Sequence, residues 1–139
     1  MTKENAPLIA AERDRVRLIQ VQEETILTLD FSHATPAQSL AMLEELPRIF
    51  EGQALDSVRI LSDVTDVSYD AAVSQKWKMA LMKFDPYVRA SAVHGATGLS
   101  GVAMLAFVEL MHWLQLPKAA TKIRGFKDRE KALAWLLES

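Results

Sequence analysis

The sequence predicts an α/β fold: a mixed, mainly parallel sheet with an antiparallel hairpin at its N-terminal edge, and four helices. Two observations predict it. Runs rich in β-branched residues alternate with amphipathic helical patterns, and the first two runs follow each other with only two residues between them. Strands that alternate with helices imply right-handed crossovers, which make successive strands parallel. We assign residues 16–139 to one domain and residues 1–15 to a lead-in.

The hairpin and the first helix have recognisable boundaries. Residues 16–22 and 25–31 are predicted strands, separated by two glutamates, which are a poor pair for a two-residue turn. Thr35 is a suitable N-cap and Pro36 suits the first helical position. The helix then runs toward Gly52, and we expect a kink or a restart at Pro47, which cannot donate a hydrogen bond to the preceding turn.

The remaining elements alternate regularly. The third strand, residues 58–64, leads into a polar loop, and an Asp-Pro pair ends the helix that follows the loop. Asp128 is a suitable cap for the last helix. In order, these elements are a strand at 58–64, a helix at 71–84, a strand at 88–93, a glycine-rich turn at 95–101, a long helix ending near 116, a strand at 121–126 and a terminal helix.

Composition excludes several classes of protein. The 139 residues are 50% hydrophobic and 24% charged, with a formal net charge of -2, which argues against a nucleic-acid binder that relies on bulk basicity. The absence of cysteine excludes disulfides and thiolate chemistry. The longest apolar stretch, residues 102–116, is shorter than the ~20 residues of a membrane span. The charged N-terminus has no signal-like apolar core, so we expect a cytoplasmic protein without a membrane span.

Two sequence segments resemble a known family. RASAVHGATGLSGV, at residues 89–102, and GFKDREKALAWLLES, at residues 125–139, are similar to the C-terminal half of uncharacterised bacterial SpoIIAA-like proteins. With the order of elements, the chain from residue 16 to 139 resembles the SpoIIAA-like or STAS domain, whose best-known members are anti-sigma-factor antagonists. The resemblance implies a regulatory domain that acts through protein contacts, without a cofactor.

The resemblance does not extend to the phosphoacceptor of the antagonists. Their phosphorylatable serine lies in an Asp-Ser-Ser-Gly segment after the third strand, and the matching segment here is Asp70-Ala71-Ala72-Val73. Alanine has no hydroxyl, so we expect no serine-kinase switch at this position. Thr65 and Ser68 lie nearby, but hydroxyls in such loops commonly form turns and caps.

The glycine-rich turn and the polar loop are two candidate sites. A glycine-rich turn before a helix favours an anion at the helix N-terminus, but a tight turn and close helix packing also explain the glycines, and we favour this second explanation. The polar loop follows a parallel strand, at the edge where ligands often bind, although capping and solvation explain its residues too. The turn candidates are Gly95, Thr97, Gly98, Ser100 and Gly101, and the loop candidates are Asp63, Thr65, Asp66, Ser68 and Asp70. The three histidines are too scattered in sequence to predict a metal site.

The long helix is apolar around most of its circumference. Its apolar arc of ~200° is about twice the stripe that a one-sided surface helix needs. A neighbouring helix, a homodimer partner or an apolar ligand can cover it, and the candidate contact residues are Leu105, Phe107, Val108 and His112.

We therefore expect a non-enzymatic, homodimeric domain that regulates a protein partner by binding it. The alternative is a carrier or sensor of a small apolar or lipid ligand held beneath the long helix, as in the related CRAL-TRIO fold. A third reading is an enzyme that uses Asp63, Asp66 or His94 at the strand ends.

Overall fold

The structure is a computed structural model, and it describes residues 15–68, 70–95 and 123–139. Within these ranges the chain forms five strands, three α-helices and one short 3-10 helix. In chain order they are β1 (Val16–Val21), β2 (Glu24–Asp30), α1 (Pro36–Phe50), β3 (Val58–Asp63), α2 (Ala71–Phe84), the 3-10 helix (Asp85–Tyr87), β4 (Val88–His94), β5 (Ile123–Phe126) and α3 (Arg129–Glu138).

The five strands form one mixed sheet in the order β1-β2-β3-β4-β5. β1 and β2 are antiparallel, and every other neighbouring pair is parallel. The predicted sheet, with its antiparallel hairpin at one edge, is confirmed. The predicted long helix, the third of the four expected helices, lies outside the described residues.

The hairpin turn lies one residue earlier than the sequence predicted. β1 ends at Val21, which pairs with Glu24, so the two turn residues are Gln22 and Glu23. Their φ angles are +50° and +68°, the left-handed values of a type I′ turn. Such a turn twists in the same sense as the flanking strands, so a hairpin forms even without the preferred glycine or asparagine.

The start of α1 agrees with the prediction in detail. Thr35 Oγ1 accepts a hydrogen bond from the Gln38 amide at 3.2 Å, and Gln38 Oε1 accepts one from the Thr35 amide at 2.9 Å. This reciprocal capping box satisfies two amides that a helix start leaves free. At Pro47 the helix does not restart, and it continues as one segment to Phe50.

The sheet has two faces with separate apolar cores. α1 and α2 cover one face, where the Phe50 and Phe84 rings stack with their centroids 4.6 Å apart. α3 covers β3, β4 and β5 on the other face, where Ala132 and Leu136 are fully buried. Among the described residues, the hairpin contributes only Ile26, with Ile19 and Val21 packed beside it, to the apolar cluster under α3.

A buried arginine on β3 holds the end of α3. Arg59 is 5% exposed and donates hydrogen bonds to the carbonyls of Leu136, at 2.8 Å, and Ser139, at 2.7 Å. It also forms an ion pair with Glu24 on β2. The last carbonyls of a helix lack the regular intrahelical partner, and here the Leu136 carbonyl accepts both from the Ser139 amide, at 3.1 Å, and from this guanidinium.

Candidate functional site

Three titratable side chains end neighbouring parallel strands. Asp30, Asp63 and His94 are the last residues of β2, β3 and β4, and the register pairs Asp30 with Asp63 and Asp63 with His94. Adjacent strands lie ≈ 4.8 Å apart, and residues in register point to the same face of a sheet. The three side chains therefore form a row on the α3 face, at the carboxyl edge where open α/β sheets bind their ligands.

The row borders a cleft on the α3 face of the sheet. The cleft has a volume of about 270 Å³. β1 contributes Arg17 to it, and the first turn of α3 contributes Arg129. The cleft is lined by Arg17, Ile19, Thr28, Leu29, Asp30, Leu61, Asp63 and Arg129. Its lining thus contains two guanidinium groups, two carboxylates and an apolar floor.

Each aspartate uses one carboxylate oxygen to shape its own loop. Asp30 Oδ1 accepts hydrogen bonds from the amide and the hydroxyl of Ser32. Asp63 Oδ1 accepts them from the Thr65 amide at 3.0 Å and from Thr65 Oγ1 at 2.7 Å. These turns fix the direction of both side chains. The second oxygen of each carboxylate has no hydrogen-bond partner among residues 15–68, 70–95 and 123–139.

His94 is the buried member of the row. It is 6% exposed, and its Nε2 atom has no hydrogen-bond partner within the described part of the chain. Burial lowers the pKa of His94 below the ordinary value of 6.5, and this effect outweighs the opposing influence of the Asp63 carboxylate. The imidazole is therefore neutral at neutral pH, next to a carboxylate.

Gly95 lies directly after this row and touches the loop that follows β3. Its φ angle is +85°, and a Cβ atom placed there would lie 2.2 Å from Thr65 Oγ1. Glycine is therefore required for its backbone conformation and for the close approach of the two loops. This agrees with the tight-turn explanation of Gly95, whereas the other turn candidates, residues 97, 98, 100 and 101, lie outside the described residues.

The other loop candidates do not join the row. Asp66 lies beside His33, with 3.6 Å between Oδ2 and Nδ1 and both side chains exposed. The Ser68 amide donates to the Ala34 carbonyl at 3.0 Å, and Asp70 caps α2 by accepting from the Val73 amide at 2.8 Å. Of the five predicted loop residues, Asp63 alone lines the cleft, with Thr65 bonded to it.

A second concave surface lies on the opposite side of the molecule, between α1 and α2. We call it the α1–α2 groove; its volume is about 340 Å³. Its lining is mostly apolar, with lysines from α2 and one glutamate from α1 at its sides. The residues are Leu43, Glu44, Pro47, Lys76, Met79, Ala80, Lys83 and Phe84.

No family model matches the sequence, and no curated protein matches it. The fold does have a match among solved structures. An uncharacterised protein of the DUF3478 family from Shewanella loihica PV-4, described as having a SpoIIAA-like fold, superposes with a TM-score of 0.62. The match covers 87% of this chain and 91% of that chain, at 17% sequence identity. This chain has a SpoIIAA-like fold. The resemblance found in the sequence is confirmed at the level of the fold.

In this SpoIIAA-like fold, the segment that matches the antagonist phosphoacceptor is the start of α2. Asp70 is the N-cap, and Ala71 and Ala72 are the first helical residues and are exposed. The segment thus occupies an accessible helix start, but it has no hydroxyl to accept a phosphate.

The candidates on the long helix, residues 105, 107, 108 and 112, lie outside the described residues, so the dimer and the apolar pocket stay predictions. No helix among the described residues is long and apolar enough to cross a membrane. The same residues contain no group of three His, Asp or Glu side chains placed to hold a metal ion.

Sequence reasoning missed Asp30, Arg17 and Arg129. A signal for Asp30 was present, because the segments LTLD, ILSD and SAVH each end a strand on a titratable residue. Parallel strands bring such ends to one edge of the sheet. The arginines gave no comparable signal, since their approach to the cleft depends on where β1 and α3 pack.

Proposed function

We propose that this domain is a non-enzymatic regulatory module that binds a protein partner in the α1–α2 groove. The observation that carries the proposal is the exposure of Met79, which lines the groove and is 58% exposed; Met82, which is 51% exposed, lies outside the lining on the same helix. Methionine is flexible and polarisable, and it is common on surfaces that bind helices of other proteins.

The apolar lining of the groove supports a helix as the bound element. Two packed helices form its walls, and Leu43, Ala80 and Phe84 contribute apolar surface to it. An amphipathic helix binds such a groove by inserting side chains spaced three or four residues apart. Burying the half-exposed Met79 contributes on the order of 1 kcal/mol.

The charges beside the groove specify the partner further. Lys76 and Lys83 lie on the α2 side, and Glu44 lies on the α1 side. The complementary ligand is an amphipathic helix with acidic residues along the edge that faces α2. Charges at such a rim steer association and select the orientation of the partner.

The proposal includes a homodimer, for which the support is the apolar arc predicted for residues 101–116. The α1–α2 groove is separate from that helix in sequence. Dimerisation and partner binding can therefore be tested with substitutions at different positions.

Photo-crosslinking tests the partner surface. p-Benzoylphenylalanine is incorporated at position 79 in the producing cells, and cross-linked proteins are identified by mass spectrometry. The control variant carries p-benzoylphenylalanine at position 55 instead. Leu55 is 68% exposed and lies outside the groove. We expect a discrete adduct from position 79 alone.

The identified partner is then purified and titrated against variants. Met79→Lys should weaken its binding by about tenfold or more, because the substitution places a charge in an apolar contact. Leu55→Lys should leave the affinity unchanged. Equal adducts from the two positions, or equal affinity of the two variants, would contradict the assignment of the groove.

A further inference from the structure

We propose that the cleft at the carboxyl end of β2 and β3 binds a small zwitterion that carries a carboxylate and an ammonium group. It lies on the α3 face, opposite the α1–α2 groove, so the inference is independent of the proposed partner surface. Two aspartates and two arginines in the lining of the cleft determine this choice of ligand.

The first step is the pairing of two carboxylates. Asp30 and Asp63 are direct neighbours in the parallel register of β2 and β3. Like charges in directly opposed positions on a sheet destabilise it. In the described part of the chain, no lysine or arginine side chain lies within 4.0 Å of either carboxylate. An ammonium group that donates hydrogen bonds to the Oδ2 atoms of both aspartates relieves this repulsion.

The second step concerns the two guanidinium groups. Arg17 and Arg129 line the same cleft, and neither forms an ion pair or a side-chain hydrogen bond with the residues that the structure describes. Guanidinium groups bind carboxylates through two parallel hydrogen bonds. The cleft thus presents donors for a carboxylate next to acceptors for an ammonium.

The third step is selectivity. A simple anion is attracted by the arginines and repelled by the aspartates, and a simple cation experiences the reverse. A molecule with both charges satisfies both pairs, and the half-buried Ile19 in the lining offers apolar surface to the carbon chain between the charges. The volume of about 270 Å³ restricts the ligand to a small molecule.

His94 adds an independent polar feature beside the cleft. It lies next to Asp63 in the row and is only 6% exposed. Its Nε2 atom has no hydrogen-bond partner among the described residues. Buried polar atoms in proteins nearly always have a hydrogen-bond partner. His94 is not among the residues that line the cleft, so we assign it no contact with the ligand.

The test is a titration of the full chain followed by amide NMR shifts. The zwitterions are glycine, β-alanine, 4-aminobutyrate and lysine, and the single-charge controls are propionate and propylamine. We expect saturable shifts at the carboxyl ends of β2 and β3 with at least one zwitterion. The affinity for the single-charge controls should be lower by about tenfold or more, since each control lacks one set of charged hydrogen bonds.

Two variants test the assigned groups without disturbing the fold. Arg129→Gln removes a charge from an exposed side chain, and Asp63→Asn keeps the oxygen that accepts from Thr65. Each substitution should lower the affinity for the zwitterion by about tenfold or more. Arg48→Gln, an exposed arginine on α1, is the matched control and should change nothing.

The proposal is overturned if no zwitterion gives saturable shifts, if propionate or propylamine binds as tightly as the best zwitterion, or if Arg129→Gln and Asp63→Asn both retain full affinity. Circular dichroism of each variant establishes that a loss of binding is not a loss of fold. Met79→Lys provides a further check, because it alters the opposite face and should leave zwitterion binding intact.

Discussion

Gly95→Ala should destabilise the protein far more than Gly52→Ala, although both glycines have nearly the same backbone conformation. Their φ angles are +85° and +84°. An alanine at Gly52 would have no atom within 4 Å of its Cβ. At Gly95 the new Cβ would lie 2.2 Å from Thr65 Oγ1 and 3.1 Å from the Thr65 amide nitrogen.

The expected difference follows from these contacts. The left-handed conformation costs an alanine roughly 1–2 kcal/mol at either site. At Gly95 the Thr65 turn must also move, which breaks its two hydrogen bonds to Asp63, each contributing about 1 kcal/mol. The loss should therefore be about 3–4 kcal/mol for Gly95→Ala and about 1–2 kcal/mol for Gly52→Ala. Changes in unfolded-state entropy are shared by both variants and cancel in the comparison.

Urea unfolding followed by circular dichroism measures both free energies. The Thr65→Ala substitution, made alone and in the Gly95→Ala background, completes a double-mutant cycle. Because it removes the nearest atom, the double variant should lose less stability than the two single losses added together. Equal losses for Gly95→Ala and Gly52→Ala, or strict additivity in the cycle, would refute the close approach of the two loops.

Three further predictions concern other parts of the molecule. Arg59→Met should cost about 3 kcal/mol in urea unfolding, because it removes two charge-assisted hydrogen bonds to the C-terminal end of α3 and the ion pair with Glu24. Arg89→Met, which removes a more exposed guanidinium, should cost less than about 1 kcal/mol. The lowered pKa of His94 means that the unfolded chain binds a proton more readily, so stability present above pH 6.5 should fall as the pH drops below it. His94→Asn should flatten this part of the pH profile of unfolding, and an unchanged profile would contradict the assignment. Light scattering should show a dimer that Leu105→Glu or Val108→Glu converts to a folded monomer, whereas a monomeric wild type would refute the dimer.

The hydrophobic patterns predicted most of the architecture. α2 begins and ends at the predicted residues, and the predicted strand at 58–64 differs from β3 by one residue. These elements were predictable because alternation, helical periodicity, an Asp N-cap and an Asp-Pro stop are local features. The hairpin turn was placed one residue late, since Gln22 and Glu23 adopt left-handed conformations that side-chain preference does not favour.

Long-range placement explains what the sequence could not show. A buried arginine on a strand has no periodic signature in the sequence. The burial of Arg59 is explained only by the position of α3, whose C-terminal end accepts its hydrogen bonds. The same applies to Arg129, which reaches the cleft because α3 starts beside β3.

The sequence by itself determined the alternation of strands and helices, the local caps, and the lack of a hydroxyl at Ala71 and Ala72. The tertiary structure decided that Asp63 belongs with Asp30 and His94, and not with Asp66 and Asp70 in its own loop. The physical reason is register: parallel pairing places strand ends side by side across the sheet, whereas residues that follow one another in a loop point toward different partners.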